Sequence, residues 1–202
     1  MPLAEAWADI EDWLRHYAPA TFASLPNAAS HHALHELETR TGGALPPGLR
    51  AMLMRHDGSG EFVLPAFHRF SNVTVIRREY AEQRAADERR IQYLLDQHPQ
   101  HPGQFPRPLP GEHPQRHPRW IPVCHDESGN LLFVTAAEDE EPGRVGVFER
   151  GDGASFPKAP AFDSLTSLME ATAQALRSST FPIWGEWEPY VDDEGFLEWQ
   201  QP

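Results

Sequence analysis

The sequence predicts an α+β fold, with N-terminal helices and a C-terminal helix packed around a small, mostly antiparallel, curved sheet. Three observations predict it. Apolar residues recur at steps of three and four near the start of the chain and again after residue 164. Three short runs rich in β-branched and aromatic residues lie between them, at 120–123, 131–134 and 145–148. Their order, helices then sheet then helix, segregates the two kinds of element, which defines the α+β class. The 202 residues suit one domain spanning 1–202, with a Pro/His-rich loop at about 98–119 and an acidic, Trp-rich extension at about 180–202.

Trp7, Ile10, Trp13, Leu14 and Tyr17 form the apolar stripe of a first helix, which Ala18-Pro19 stops because the residue before proline disfavours helix. Ser30 offers an N-cap to a second helix carrying Leu34 and Leu37, and Gly42 ends it. Pro46 opens a third, where its missing N–H costs nothing; Leu49, Met52 and Leu53 face inward, and His56-Asp57-Gly58 turns the chain. Phe62 to Phe67 suggests a short strand that Pro65 places near an edge or bend. Val73 to Ile76 alternates like a strand, yet residues 77–97 lack Gly and Pro and read as a partly buried helix with Ile76, Tyr80, Ile91, Leu94 and Leu95 inward.

Pro99 to Pro118 denies regular hydrogen bonding and reads as a surface loop. The three strand signals follow, the first two joined by a Ser128-Gly129-Asn130 turn and the last two by Glu138 to Gly143, giving an antiparallel meander. Ser164 then caps a helix with Leu165, Leu168, Met169, Ala173 and Leu176 on one face.

The net charge is -13, and residues 124–202 hold 16 acidic against 4 basic side chains. Such a surface repels nucleic-acid phosphates and anionic membranes, and speeds encounter with a basic protein. The single cysteine, Cys124, forbids an intrachain disulfide and favours a reducing compartment. The start of the chain lacks the basic and apolar regions of a signal peptide, and no run reaches the roughly 18 apolar residues of a membrane span. The expectation is a cytoplasmic protein.

Candidate chemistry is thin. His31 and His35 share a helix face with His32 beside them, but no HExxH pattern or third ligand accompanies them, so a solvated face is the plainer reading. His98, His101, His113 and His117 fall in the proline-rich loop, where nothing preorganises a metal site. In Cys124-His125-Asp126, neighbours on a strand point to opposite faces, so Cys124 reads as a small buried residue rather than a nucleophile. No catalytic residue, metal site or cofactor is expected. The tail mixes Trp184, Trp187, Tyr190 and Trp199 with six acids. Gly195 to Trp199 alternates like a strand that packs its tryptophans home, whereas aromatics of this kind also anchor interfaces. The residues expected to meet a partner are Glu138, Asp139, Glu140, Glu141, Glu186, Trp187, Glu188, Asp192, Asp193 and Glu194.

An ordered set of short signatures, spread over residues 7 to 176, resembles the SUKH superfamily, which includes a fungal cell-wall regulator and many bacterial immunity proteins. They are Trp7 with Ile10-Glu11 and Trp13-Leu14; Leu37-Glu38 to Gly42; Leu45-Pro46 with Leu49-Arg50; His56-Asp57-Gly58; Trp120-Ile121-Pro122-Val123; Asp126 and Gly129; Leu131 to Val134; Gly143 with Val145; and Ser164-Leu165. The sequence departs from the pattern in its long loop and in Thr135, where an acid often follows the strand. The resemblance implies protein binding without catalysis, with a basic toxin domain as the expected partner. A regulatory scaffold like the fungal relative is the alternative, and a metal-dependent enzyme resting on His31, His35 and the loop histidines is a weaker one. Trp7, Trp13, Gly42, Pro46, Asp57, Gly58, Trp120, Pro122 and Gly129 are expected to maintain the fold.

Overall fold

Helix α1 (Leu3–Tyr17) turns its periodic stripe inward, burying Trp7, Ile10 and Leu14 while Trp13 packs half-buried at the margin. Tyr17, last in the stripe, is 62% exposed: it ends the helix beyond the core and rests on Trp13, with ring centroids 5.1 Å apart. The computed structural model describes residues 2–97, 119–136, 142–150, 152–178 and 186–202. The proline-rich loop and residues 137–141 lie outside them.

Pro19 both stops α1 and begins a short helix, α2 (Pro19–Ser24), that periodicity does not reveal. In α3 (His31–Thr41), Ser30 Oγ accepts the Ala33 N–H at 3.1 Å, and Gly42 closes the helix at φ +81, a left-handed conformation that glycine adopts freely. Helix α4 (Pro47–Arg55) corrects the expectation for Pro46: Pro46 is extended and caps the helix, and Pro47 takes the first helical position.

The main sheet is an antiparallel meander of six strands in chain order: β1 (Val63–Leu64), β2 (His68–Phe70), β3 (Trp120–His125), β4 (Leu131–Thr135), β5 (Val145–Glu149) and β6 (Gly153–Ser155). β1 is an edge strand, and a tight turn at Pro65–Phe67 folds it onto β2. A bulge between Pro122 and Cys124 turns Val123 and Cys124 both into the core.

Helix α5 (Val73–Gln97) settles the ambiguous segment as helix from its first residue. Asp57 Oδ1 accepts the Val73 N–H at 2.7 Å and Asn72 Oδ1 accepts the Val75 N–H at 2.9 Å. Those caps satisfy first-turn donors that a strand would have had to pair elsewhere. Helix α6 (Leu165–Ser178), capped by Ser164, lies against α1 and buries Leu165, Leu168, Met169 and Leu176.

The core fills the space between these helices and the inner face of the sheet, where Ile121, Val123, Leu132, Val134, Val145 and Val147 point. On the other face Trp120 stacks on Phe133 with centroids 4.3 Å apart. That cluster exists because Gly146 has no side chain: a Cβ there would sit 2.1 Å from the Phe133 ring.

The chain ends in a separate hairpin, β7 (Glu188–Val191) and β8 (Leu197–Gln200). Its inner face belongs to the main core. Trp187, Leu197 and Trp199 are buried, and Trp199 Nε1 donates to Val63 O at 2.9 Å. Ala20 N donates to Gly195 O at 3.1 Å and Leu197 N to the buried Thr21 Oγ1 at 2.7 Å, fastening the hairpin to α2.

Candidate partner-binding surface

The conspicuous His56-Asp57-Gly58 run builds the fold. His56 Nδ1 lies 2.6 Å from Pro26 O and Nε2 3.1 Å from Glu11 Oε1, while Arg55 donates to both Glu11 oxygens at 2.6 and 2.7 Å. Burial alone would raise the Glu11 carboxyl, but the hydrogen bonds from Arg55 and His56 outweigh it and hold the group below its ordinary 4.5. The edge of the His56 ring meets Trp7 at 5.0 Å. Gly58, at φ +95, brings its backbone so close to Asn72 N that a Cβ would come within 3.1 Å. The hub joins α1, α4 and the start of α5, and its polar groups are occupied with one another.

A different arrangement lies where the C-terminal hairpin meets the sheet. A cleft of about 570 Å³ is lined by Val63 and Ala66 of the β1–β2 corner, Arg69 of β2, His125 to Ser128 at the β3–β4 turn, and Glu198 of β8. Ala66 holds φ +60, the one positive φ outside glycine among the described residues. Asp126 is fixed by accepting from Asn130 N at 2.8 Å and Asn130 Nδ2 at 2.7 Å, with Gly129 completing the turn at φ +84. His125 Nδ1 is 3.0 Å from Ser71 Oγ. Arg69 is drawn to Glu61 and to Gly60 O. Glu127 and Glu198 have no ion pair or side-chain hydrogen bond among the described residues, so the cleft presents uncompensated negative charge.

The hairpin continues that surface. Register pairs Tyr190 with Glu198 and Glu188 with Gln200 on the face opposite Trp199 and Leu197. Tyr190 is 42% exposed, and Glu186, Asp193 and Glu194 are exposed around it. Two residues expected to meet a partner also serve the fold. Trp187 is only 9% exposed, because its indole completes the core. Asp192 Oδ1 accepts from Glu194 N at 3.0 Å and Phe196 N at 2.8 Å, so it builds the β7–β8 turn. Glu138, Asp139, Glu140 and Glu141 lie outside the described residues.

The sequence does not single out Arg69 or Glu127, and Glu198 counts there as one of the six tail acids without being named as a contact. For Glu198 a signal existed: with Trp199 inward, period two puts its neighbour outward. Arg69 and Glu127 meet only through tertiary folding. Cys124 is buried, and burial pushes its thiol well above the usual range, with Glu79 adding to the effect. His31 and His35 are exposed on α3, and among the described residues no three His, Cys, Asp or Glu side chains gather as metal ligands. No helix of the described residues is long and apolar enough to cross a membrane.

Compared with known families, residues 28–167 match the SMI1 / KNR4 family (SUKH-1). No curated protein matches the chain. The matched stretch runs from α3 into α6 and takes in every strand of the six-stranded meander, while α1 and the acidic hairpin fall outside it. With well over half of its residues inside that match, the chain belongs to the SMI1 / KNR4 family, SUKH-1.

Proposed function

We propose that this chain is an immunity-type protein that binds a basic toxin domain in the cytoplasm and blocks it, acting by association and without catalysis. One observation carries the reading. A scaffold of a protein-binding family bears, beyond its matched residues, a hairpin packed rigidly by Trp199 whose outer face is acidic and whose Glu198 opens onto a cleft with unpaired carboxylates. Rigid presentation lowers the ordering cost of association. Negative charge speeds encounter with a basic partner and disfavours acidic ones.

The test uses the toxin encoded beside this chain's gene. Co-expression should rescue cells from that toxin, and the two purified proteins should form a stable complex. Glu188→Lys with Glu198→Lys should weaken the complex by about tenfold or more, as lost charge pairs do. Absence of rescue together with absence of a complex would refute the reading.

A further inference from the structure

A second cleft lies between α3 and α5, as two grooves of about 400 and 360 Å³ that share Arg40 and Arg77 in their walls. Thr74, Arg77 and Arg78 fall at i, i+3 and i+4 on α5, so they share a helix face turned toward Arg40 on α3. Three arginines thus line one cleft on a chain of net charge -13.

The fold makes little use of them. Arg40 is exposed and makes no ion pair or side-chain hydrogen bond among the described residues. Arg78 is 64% exposed, and its Nε stands 3.9 Å from Glu82 Oε1, beyond hydrogen-bond range. Only Arg77 is anchored, by Nη1 at 2.6 Å from Glu36 Oε2. Thr74 is exposed, and its hydroxyl makes no hydrogen bond among the described residues. Two carboxylates against three guanidiniums leave the cleft locally positive. At physiological ionic strength, charges beyond about 8 Å are largely screened, so the groups that line the cleft weigh more than distant acids.

We infer that the α3–α5 cleft is a binding site for a phosphate- or pyrophosphate-bearing ligand. A single carboxylate is satisfied by one arginine fork; several forks and a hydroxyl suit an oxyanion with several oxygens and more than one charge. The site is separate from the acidic surface and stands whether or not that surface binds a toxin.

The test is a titration of the isotope-labelled full chain, followed by NMR at fixed ionic strength, with pyrophosphate, inorganic phosphate and citrate in separate arms. Saturable shifts should centre on Thr39–Arg40 and Thr74–Arg78, with pyrophosphate tighter than phosphate. Arg40→Ala with Arg78→Ala should weaken pyrophosphate binding at least about tenfold, while Arg40→Lys with Arg78→Lys weakens it less, and Arg150→Ala leaves it unchanged. The amide spectrum of each variant reports that it is folded. Citrate binding as tightly as pyrophosphate would overturn the phosphate assignment. Shifts that do not saturate, or an alanine pair that binds normally, would overturn the site.

Discussion

Glu11 and Glu198 are both carboxylates on elements that close the core, and they meet opposite surroundings. Glu11 receives two hydrogen bonds from Arg55 and faces His56 Nε2, so its charge is spent inside the protein. Glu198 stands at the rim of a cleft with no ion pair among the described residues. One lies in a hub that joins three helices; the other lies on a terminal hairpin, and both residues fall outside the family-matched stretch. The difference separates charge that the fold uses from charge that the fold leaves without an ion pair among the described residues, and net charge alone does not tell them apart.

The strongest way to break the comparison is to remove the platform on which Glu198 stands. Trp199→Ala deletes a buried indole and its hydrogen bond to Val63 O, and should cost about 3–5 kcal/mol in urea denaturation. Partner binding should fall with it, because the hairpin loses its seat.

Next comes Glu11→Gln, which keeps shape and removes charge. The expected loss is about 1–3 kcal/mol, below that of a fully buried pair because the Arg55 side chain is 43% exposed and can be rehydrated. The same variant sharpens the comparison in acid. The Glu11 carboxyl is held below its ordinary 4.5, so its contribution is complete above that value and disappears as pH falls through the lower folded value. The native protein should therefore lose stability in acid more steeply than Glu11→Gln, measured by denaturation at a series of pH values.

His68 gives a smaller effect in a separate window. Burial lowers its affinity for a proton, and the opposing pull of Asp126 does not restore it. A histidine held below its ordinary 6.5 lends full stability above that pH and loses it progressively below. His68→Gln should flatten the stability profile just under pH 6.5, where Glu11 has no influence.

Least disturbing to the fold is Glu127→Lys with Glu198→Lys. Stability should change by no more than about 0.5 kcal/mol, as for surface sites without partners. Association with a basic partner should slow and lose its dependence on salt. A large loss of stability here would show that these carboxylates serve the fold after all.

Local chemistry made much of the scaffold legible. Ser30, Gly42 and Ser164 announce helix ends because their side chains, or the lack of one, satisfy groups within a turn. The strands at 120, 131 and 145 carry enough apolar residues to count. β2 and β6, at three residues each, are too short for any period, and α2 is a single proline-started turn and a half. The start of α5 was undecidable locally because one of its caps, Asp57, lies 16 residues earlier. The acidic cleft was hidden for a related reason. Its walls come from residues 63–69, 125–128 and 198, which only the finished topology brings together. Counting acids also does not show that Asp192 carries a turn, where two backbone N–H groups donate to its carboxylate.

The bond from Trp199 to Val63, with the clasp of Gly195 and Leu197 on residues 20–21, has a consequence during synthesis. Until the hairpin is made, the part of the core that Trp199 and Leu197 cover has one wall open to water. A chain without its hairpin therefore exposes apolar surface that Trp199 and Leu197 would otherwise cover.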